Sequence, residues 1–153
     1  MNRSLGVEQR YRALQLCPVL AAAAAEELWL LAEIARVELL APGETLFEAG
    51  EVAHEVFVVA SGALHVFVPH CTGPANTLHP GDLFGEYAMF YDNVRTTTVR
   101  AADEACLLSL DYRRFRACLL RFPEIALKLL EITVRRLVAL ERKTSTPNTM
   151  ERS

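Results

Sequence analysis

The sequence predicts a mainly β domain with flanking α-helices, the β part being a barrel or sandwich such as a jelly roll. Three observations point there. β-Branched and aromatic residues rise between residues 36 and 110, Gly and Pro punctuate that stretch at short intervals, and Ala- and Leu-rich segments with helical spacing lie on either side. With 153 residues the chain suits one domain, and a domain of that size buries roughly 70% of its unfolded surface without a disulfide or metal. A hydrophobic content of 52%, a charged content of 23% and a formal net charge of −3 exclude intrinsic disorder. The slight acidity also argues against a general nucleic-acid binder, which needs a basic surplus to neutralise phosphates.

Residues 7–35 read as helices, with Cys17-Pro18 as a break. Arg3, Arg10 and Arg12 ahead of Leu16–Leu20 and the run Ala21–Ala25 imitate a secretory signal. Glu8 sits in the would-be basic region, however, and Pro18 interrupts the apolar run. Leu28, Trp29, Leu30, Leu31 and Ile34 continue at helical spacing, so the segment is expected to be an amphipathic helix packed on the domain. The run is too short for a membrane span, which takes about 20 residues.

Within 36–110, Val56–Val59 and Leu64–Val68 are expected strands around a turn at Ser61-Gly62. Further turns are expected at Pro42-Gly43, Ala49-Gly50, Gly73-Pro74 and Pro80-Gly81, and further strands over 96–101 and 105–110. Asp111 is placed to cap a short helix over Tyr112–Leu120. Pro123 opens a longer helix to about Arg142, with Ala126, Leu129, Leu130, Val134, Leu137 and Val138 as its apolar positions. The expected organisation is one domain over 1–143 (helical 7–35, β 36–110, C-terminal helices 111–143) and a flexible polar tail over 144–153.

Catalytic chemistry is not suggested. The four cysteines, Cys17, Cys71, Cys106 and Cys118, contain no CxxC pair, and reduced, mostly buried thiols suit a cytoplasmic protein. His54, His65, His70 and His79 contain no H-x-H pair of the kind that starts a jelly-roll metal site, so no metal and no enzyme is expected. No nucleophile–base arrangement is suggested by spacing either.

The informative stretch is Pro80 to Val99. It sets Gly85 and Glu86 just after one strand, and Arg95 with Thr96, Thr97 and Thr98 just before the next. A helical turn over Glu86–Phe90 would present backbone N–H groups to an anion. Arg95 would add its fork of donors, and Gly85 would let the backbone approach without a Cβ. Glu86 could accept from neutral hydroxyls, as on a sugar. A phosphate beside a vicinal hydroxyl is what such partners would recognise.

This segment resembles the phosphate-binding cassette of the cyclic nucleotide-binding domain family, found in kinase regulatory subunits, catabolite-activator-type regulators and nucleotide-gated channels. Phe84-Gly85-Glu86, Ala88 and Arg95 match its pattern, with Arg95 nine residues after Glu86. Pro42-Gly43-Glu44, Gly50-Glu51, Val56–Val59, Ser61-Gly62 and Pro80-Gly81-Asp82 resemble the family's framework landmarks. The resemblance implies a β-roll or jelly roll with an N-terminal helical segment, the cassette and C-terminal helices. It further implies cAMP or cGMP as ligand, Glu86 on the ribose 2′-hydroxyl and Arg95 on the cyclic phosphate. Backbone groups around Gly85, Glu86, Tyr87 and Ala88 would complete the cradle, with Thr96 and Thr97 at its edge, and Arg135 or Arg136 would cap the base.

The sequence departs from the family at Thr97, usually Ala, and at Tyr87, usually Leu or Met. It also lacks the Pro often found just before the Arg. Thr96 occupies a position where Thr accompanies cGMP in some members and cAMP in others, so the purine is left open. The implied function is a non-catalytic regulatory module signalling by cassette ordering and closure of the C-terminal helix, to a protein partner or in a homodimer. No direct DNA binding is expected, because the sequence ends about ten residues after the long helix and leaves no room for a helix-turn-helix. The alternatives are the effector-binding half of a transcription regulator, or a ligand-free interaction domain of the same fold.

Overall fold

The computed structural model describes the backbone of residues 5–151 and the side chains of residues 5–142. Helices α1 (Val7–Gln15) and α2 (Ala25–Ile34) precede eight strands: β1 (Arg36–Leu40), β2 (Thr45–Phe47), β3 (Glu55–Ser61), β4 (Leu64–Phe67), β5 (Asn76–Leu78), β6 (Leu83–Phe84), β7 (Thr98–Ala101) and β8 (Ala105–Asp111). Helices α3 (Tyr112–Arg121) and α4 (Pro123–Glu151) follow. The strands form two antiparallel sheets, ordered β1-β8-β3-β6 and β2-β7-β4-β5.

The first sheet is covered on both faces, which explains why its central strands are apolar runs rather than alternations. Along β3, Val56 and Val58 face the helices, while Phe57 and Val59 face the second sheet. Along β8, Leu108 and Leu110 point to the helices and Leu107 to the second sheet. The segment that imitates a secretory signal lies in the helical layer, with Cys17, Val19, Leu20, Leu28 and Leu31 all buried. Only part of it is helical: Pro18–Leu20 form a 3-10 turn, and the α-helix resumes at Ala25. Burial pushes the thiols of Cys17 and Cys118 up to about 11, so both stay protonated.

β3 and β4 flank the expected turn, yet they pair with different partners in different sheets. The chain crosses between the sheets at Gly62, whose φ is +82°, and a Cβ there would lie 2.2 Å from the Glu104 carbonyl oxygen. Gly62→Ala is therefore expected to cost about 2 kcal/mol or more, from left-handed strain plus the overlap. A urea midpoint equal to wild type would contradict this.

Asp111 caps α3 as expected, its carboxylate accepting from the Arg114 N–H at 2.8 Å. The apolar face expected of α4 needs correction. Ile125 and Leu129 are buried, but Leu130, Val134, Leu137 and Val138 are 59, 47, 47 and 38% exposed. Apolar residues cover more than one stripe of this helix, so spacing alone could not tell which stripe meets the domain. The helix also continues through Glu151, past the expected end near Arg142; no glycine follows to close it. Residues 152 and 153 of the expected tail lie outside the described residues. Among the described residues, no helix is long and apolar enough to cross a membrane.

Candidate ligand site

The segment between β6 and β7 lies against the β2–β3 connection, with an isolated bridge between Val52 and Val94. Gly85 leaves β6 with φ +90°, and a Cβ there would sit 3.0 Å from Arg95 Nη1. That position needs glycine because the Arg95 guanidinium packs directly against the backbone. The chain then makes a 3-10 turn over Tyr87–Phe90, with Glu86 at its N-cap. Asp92 and Asn93 follow with φ of 55° and 56°, where Asp and Asn are the better tolerated non-glycine residues. The arm is tied to the β2–β3 connection by backbone bonds from Gly50 N–H to Arg95 C=O and from Arg95 N–H to Glu51 C=O, each 2.8 Å.

Arg95 is buried, with its guanidinium 4.0 Å from the centre of the Phe47 ring. Nη1 donates to the Gly85 carbonyl at 3.0 Å and to the Tyr112 hydroxyl at 3.3 Å. Nη2 donates to the Glu55 carbonyl at 3.0 Å. Three of the five guanidinium donors are thus engaged, which orients the side chain and leaves two for a ligand. Burial lowers its pKa from the ordinary guanidinium value, with Tyr112 and the nearby carboxylates opposing the shift. The Tyr112 hydroxyl donates to the same Gly85 carbonyl at 2.6 Å, fastening α3 to the arm.

Glu86 is 0% exposed. Its Oε2 accepts from the Thr133 hydroxyl at 2.8 Å and lies 3.9 Å from Arg136 Nη1, both on α4. Arg136 also donates to the Leu83 carbonyl, which pins α4 to the mouth of the site. Glu86 Oε1 is buried without a hydrogen-bond partner. A bare carboxylate oxygen is costly to bury, and it is the position at which an incoming hydroxyl would gain most. The ion-pair partner of Glu86 is thus Arg136 rather than Arg95.

Burial raises the Glu86 pKa above 4.5, with Arg136 opposing. A carboxyl whose folded pKa is raised favours the folded state below its unfolded pKa, and that advantage is lost as pH rises through the folded value. In ligand-free protein, Glu86→Gln should therefore gain melting temperature relative to wild type as pH climbs from 4.5, levelling off above the raised pKa. A difference that is constant with pH would contradict this. Burial also pushes the Tyr87 phenol up to about 12, so it remains neutral.

All seven residues picked from the cassette, Gly85, Glu86, Tyr87, Ala88, Arg95, Thr96 and Thr97, line one cavity. The two candidates on α4 separate. Arg136 lines the cavity, whereas Arg135 projects to solvent and pairs with Glu131 at 3.4 Å. Neighbouring helical residues lie about 100° apart around the axis, so only one of the two can face inward. Thr133, Tyr112, Asn76 and Leu140 also border the site, from elements remote in sequence from the cassette. One clue was available: Thr133 stands three residues before Arg136, on the same helical face.

A two-sheet roll closed by C-terminal helices over a buried Arg and a buried acid defines a small-ligand-binding domain. The profile of the cyclic nucleotide-binding domain family matches residues 37–122, and the chain belongs to that family. It is 30% identical over 123 residues to a cyclic AMP receptor protein of Thermus thermophilus, covering 78% of this chain and 57% of that protein. It is 32% identical over 113 residues to the HTH-type transcriptional regulator Cmr of Mycobacterium tuberculosis, covering 72% of this chain and 46% of that one. The crystal structure of the Thermus thermophilus catabolite activator protein superposes with a TM-score of 0.70 and 27% identity, covering 86% of this chain and 63% of that chain. The chain spans about half the length of the curated relatives it matches.

Proposed function

We propose that this chain is a non-catalytic regulatory module that binds a cyclic purine nucleotide, cAMP or cGMP. The observation that carries the reading is the placement of buried Arg95 and buried Glu86 in one cavity, with Glu86 Oε1 unpartnered. The cyclic phosphate would take the two remaining donors of Arg95 and the backbone around Gly85 to Ala88, with Thr96 and Thr97 at its edge. The ribose hydroxyl would take Oε1. Because Oε2 is held by Thr133 and Arg136, one carboxylate touches both the ligand and α4. Ligand contacts that hold Glu86 and the cassette in place thus favour the state in which α4 is closed, a shift of population in favour of that state. Arg136 and Leu140 would then lie against the base.

The output lies on a protein partner or a second copy of the chain. Leu127, Leu130, Val134 and Leu137 form an outward stripe with alternating spacings of three and four, the pattern of a helix that packs on another. The likeness to the HTH-type transcriptional regulator Cmr favours a second reading, the effector-binding half of such a regulator. Four free cysteines, three of them buried, suit a reducing, cytoplasmic setting.

Calorimetry with cAMP, cGMP and a cyclic dinucleotide tests the proposal. Heat with one of the two mononucleotides supports it. No heat from any ligand would leave the ligand-free interaction domain as the better reading.

A further inference from the structure

The cavity continues beyond Arg95 and Glu86, along the inner face of the second sheet. In the antiparallel pair of β4 and β5, Leu64 faces Leu78 and Val66 faces Asn76 across the ladder. Side chains alternate between faces along a strand, so Asn76 shares the inner face with Leu78, while Thr77 between them pairs with His65 on the outer one. Leu64, Val66, Leu78 and Val99 make this inner row apolar and buried, and Asn76 is its polar exception. It lines the same cavity as Arg95 and Glu86. Asn76 itself is half-buried, so its side chain is open to a ligand in that cavity.

The orientation of the Asn76 amide is fixed. Its Oδ1 accepts from the Thr77 backbone N–H at 2.9 Å, so the NH2 end is the end left over. Among the described residues, that NH2 group has no hydrogen-bond partner. Across the cavity, α4 presents Leu140, which offers neither donor nor acceptor. The second sheet runs β2-β7-β4-β5, with Phe47 under Arg95 on one edge strand and Asn76 on the opposite one. A ligand anchored by its phosphate at Arg95 and lying in this cavity would bring its base within reach of Asn76.

Resting on the function proposed above, we infer that Asn76 is a specificity-determining residue that reads the six-position of a purine base through its NH2 group. Guanine and hypoxanthine present an acceptor oxygen there, whereas adenine presents an amino donor. A donor facing a donor gains nothing and leaves both unpaired. The site is thereby biased toward 6-oxopurine cyclic nucleotides.

Calorimetry on the full chain with cGMP, cIMP and cAMP tests this. Wild type should favour cGMP and cIMP over cAMP by roughly three- to tenfold, the range of one neutral hydrogen bond. Asn76→Leu, which matches its apolar neighbours, should lose that preference by weakening the two oxo nucleotides more than cAMP. Asn76→Asp replaces donors by acceptors and should shift the ratio toward cAMP, supporting the assignment even if the leucine variant folds poorly. A wild-type preference for cAMP would overturn the inference, as would an unchanged ratio in both variants. A preference for cGMP that cIMP does not share would place discrimination at the two-amino group, and would also overturn it. Binding of all three with no effect at Asn76 defeats this inference alone, whereas no binding by wild type defeats the reading beneath it.

Discussion

Arg95→Ala is expected to weaken cyclic nucleotide binding by roughly a hundredfold or more. Two donors of the guanidinium remain after its bonds to Gly85, Tyr112 and Glu55, and each charge-assisted bond to a phosphate contributes about 1.5 to 3 kcal/mol. Two such bonds give at least that factor. The same substitution strips donors from the carbonyls of Gly85 and Glu55, so some stability is lost along with affinity. Arg95→Lys separates the two effects. Lysine keeps the charge but not the planar fork, and should bind with intermediate affinity. Wild-type affinity in a folded Arg95→Ala protein, measured by calorimetry, would remove Arg95 from the site.

Phe115→Ala should cause a large loss of stability without altering a cavity-lining residue. Phe115 is fully buried where α3 meets the helical core, and truncating such a ring costs about 3 to 5 kcal/mol. For a chain of this length that corresponds to a fall of roughly 6 to 20 °C in Tm. The loss reaches the site as well, because Tyr112 lies three residues earlier on the same helix and fastens it to Gly85. Differential scanning calorimetry is the measurement, and a Tm within about 3 °C of wild type would contradict the role given to this ring.

How far these features were legible in the sequence depended on the range of the interactions behind them. Val56–Val59 and Ala105–Leu110 were readable as strands because burial on both faces makes continuous apolar runs. The three residues of β2, the three of β5 and the two of β6 leave no run to detect; they are strands only because neighbours supply the ladder. Ser61-Gly62 was legible as a turn, but its crossing between sheets was not, since strand partners are set by distant residues. Gly85, Glu86 and Arg95 were legible because their roles depend on local spacing within one arm. Asn76 lines the cavity from β5, while Thr133 and Tyr112 hold its residues Glu86 and Gly85 from α4 and α3, and no local pattern ties any of the three to the site. Arg135 and Arg136 were indistinguishable until the face of α4 that meets the domain was known.

The position of β8 bears on how the chain acquires this structure. β8 lies between β1 and β3, pairing Arg36 with Ser109 and Val56 with Leu110. These ladders join residues 73 and 54 positions apart, so the first sheet cannot form until residue 105 and those beyond it are available. Closing loops of that size before gaining the central ladders of the first sheet places the domain among slow folders, on the millisecond to second scale. During synthesis, β3 has only the two residues of β6 to pair with until β8 emerges some 50 residues later, roughly 3 to 10 s at ordinary elongation rates. A nascent chain arrested before β8 is thus expected to engage chaperones, and one arrested beyond α3 to escape them.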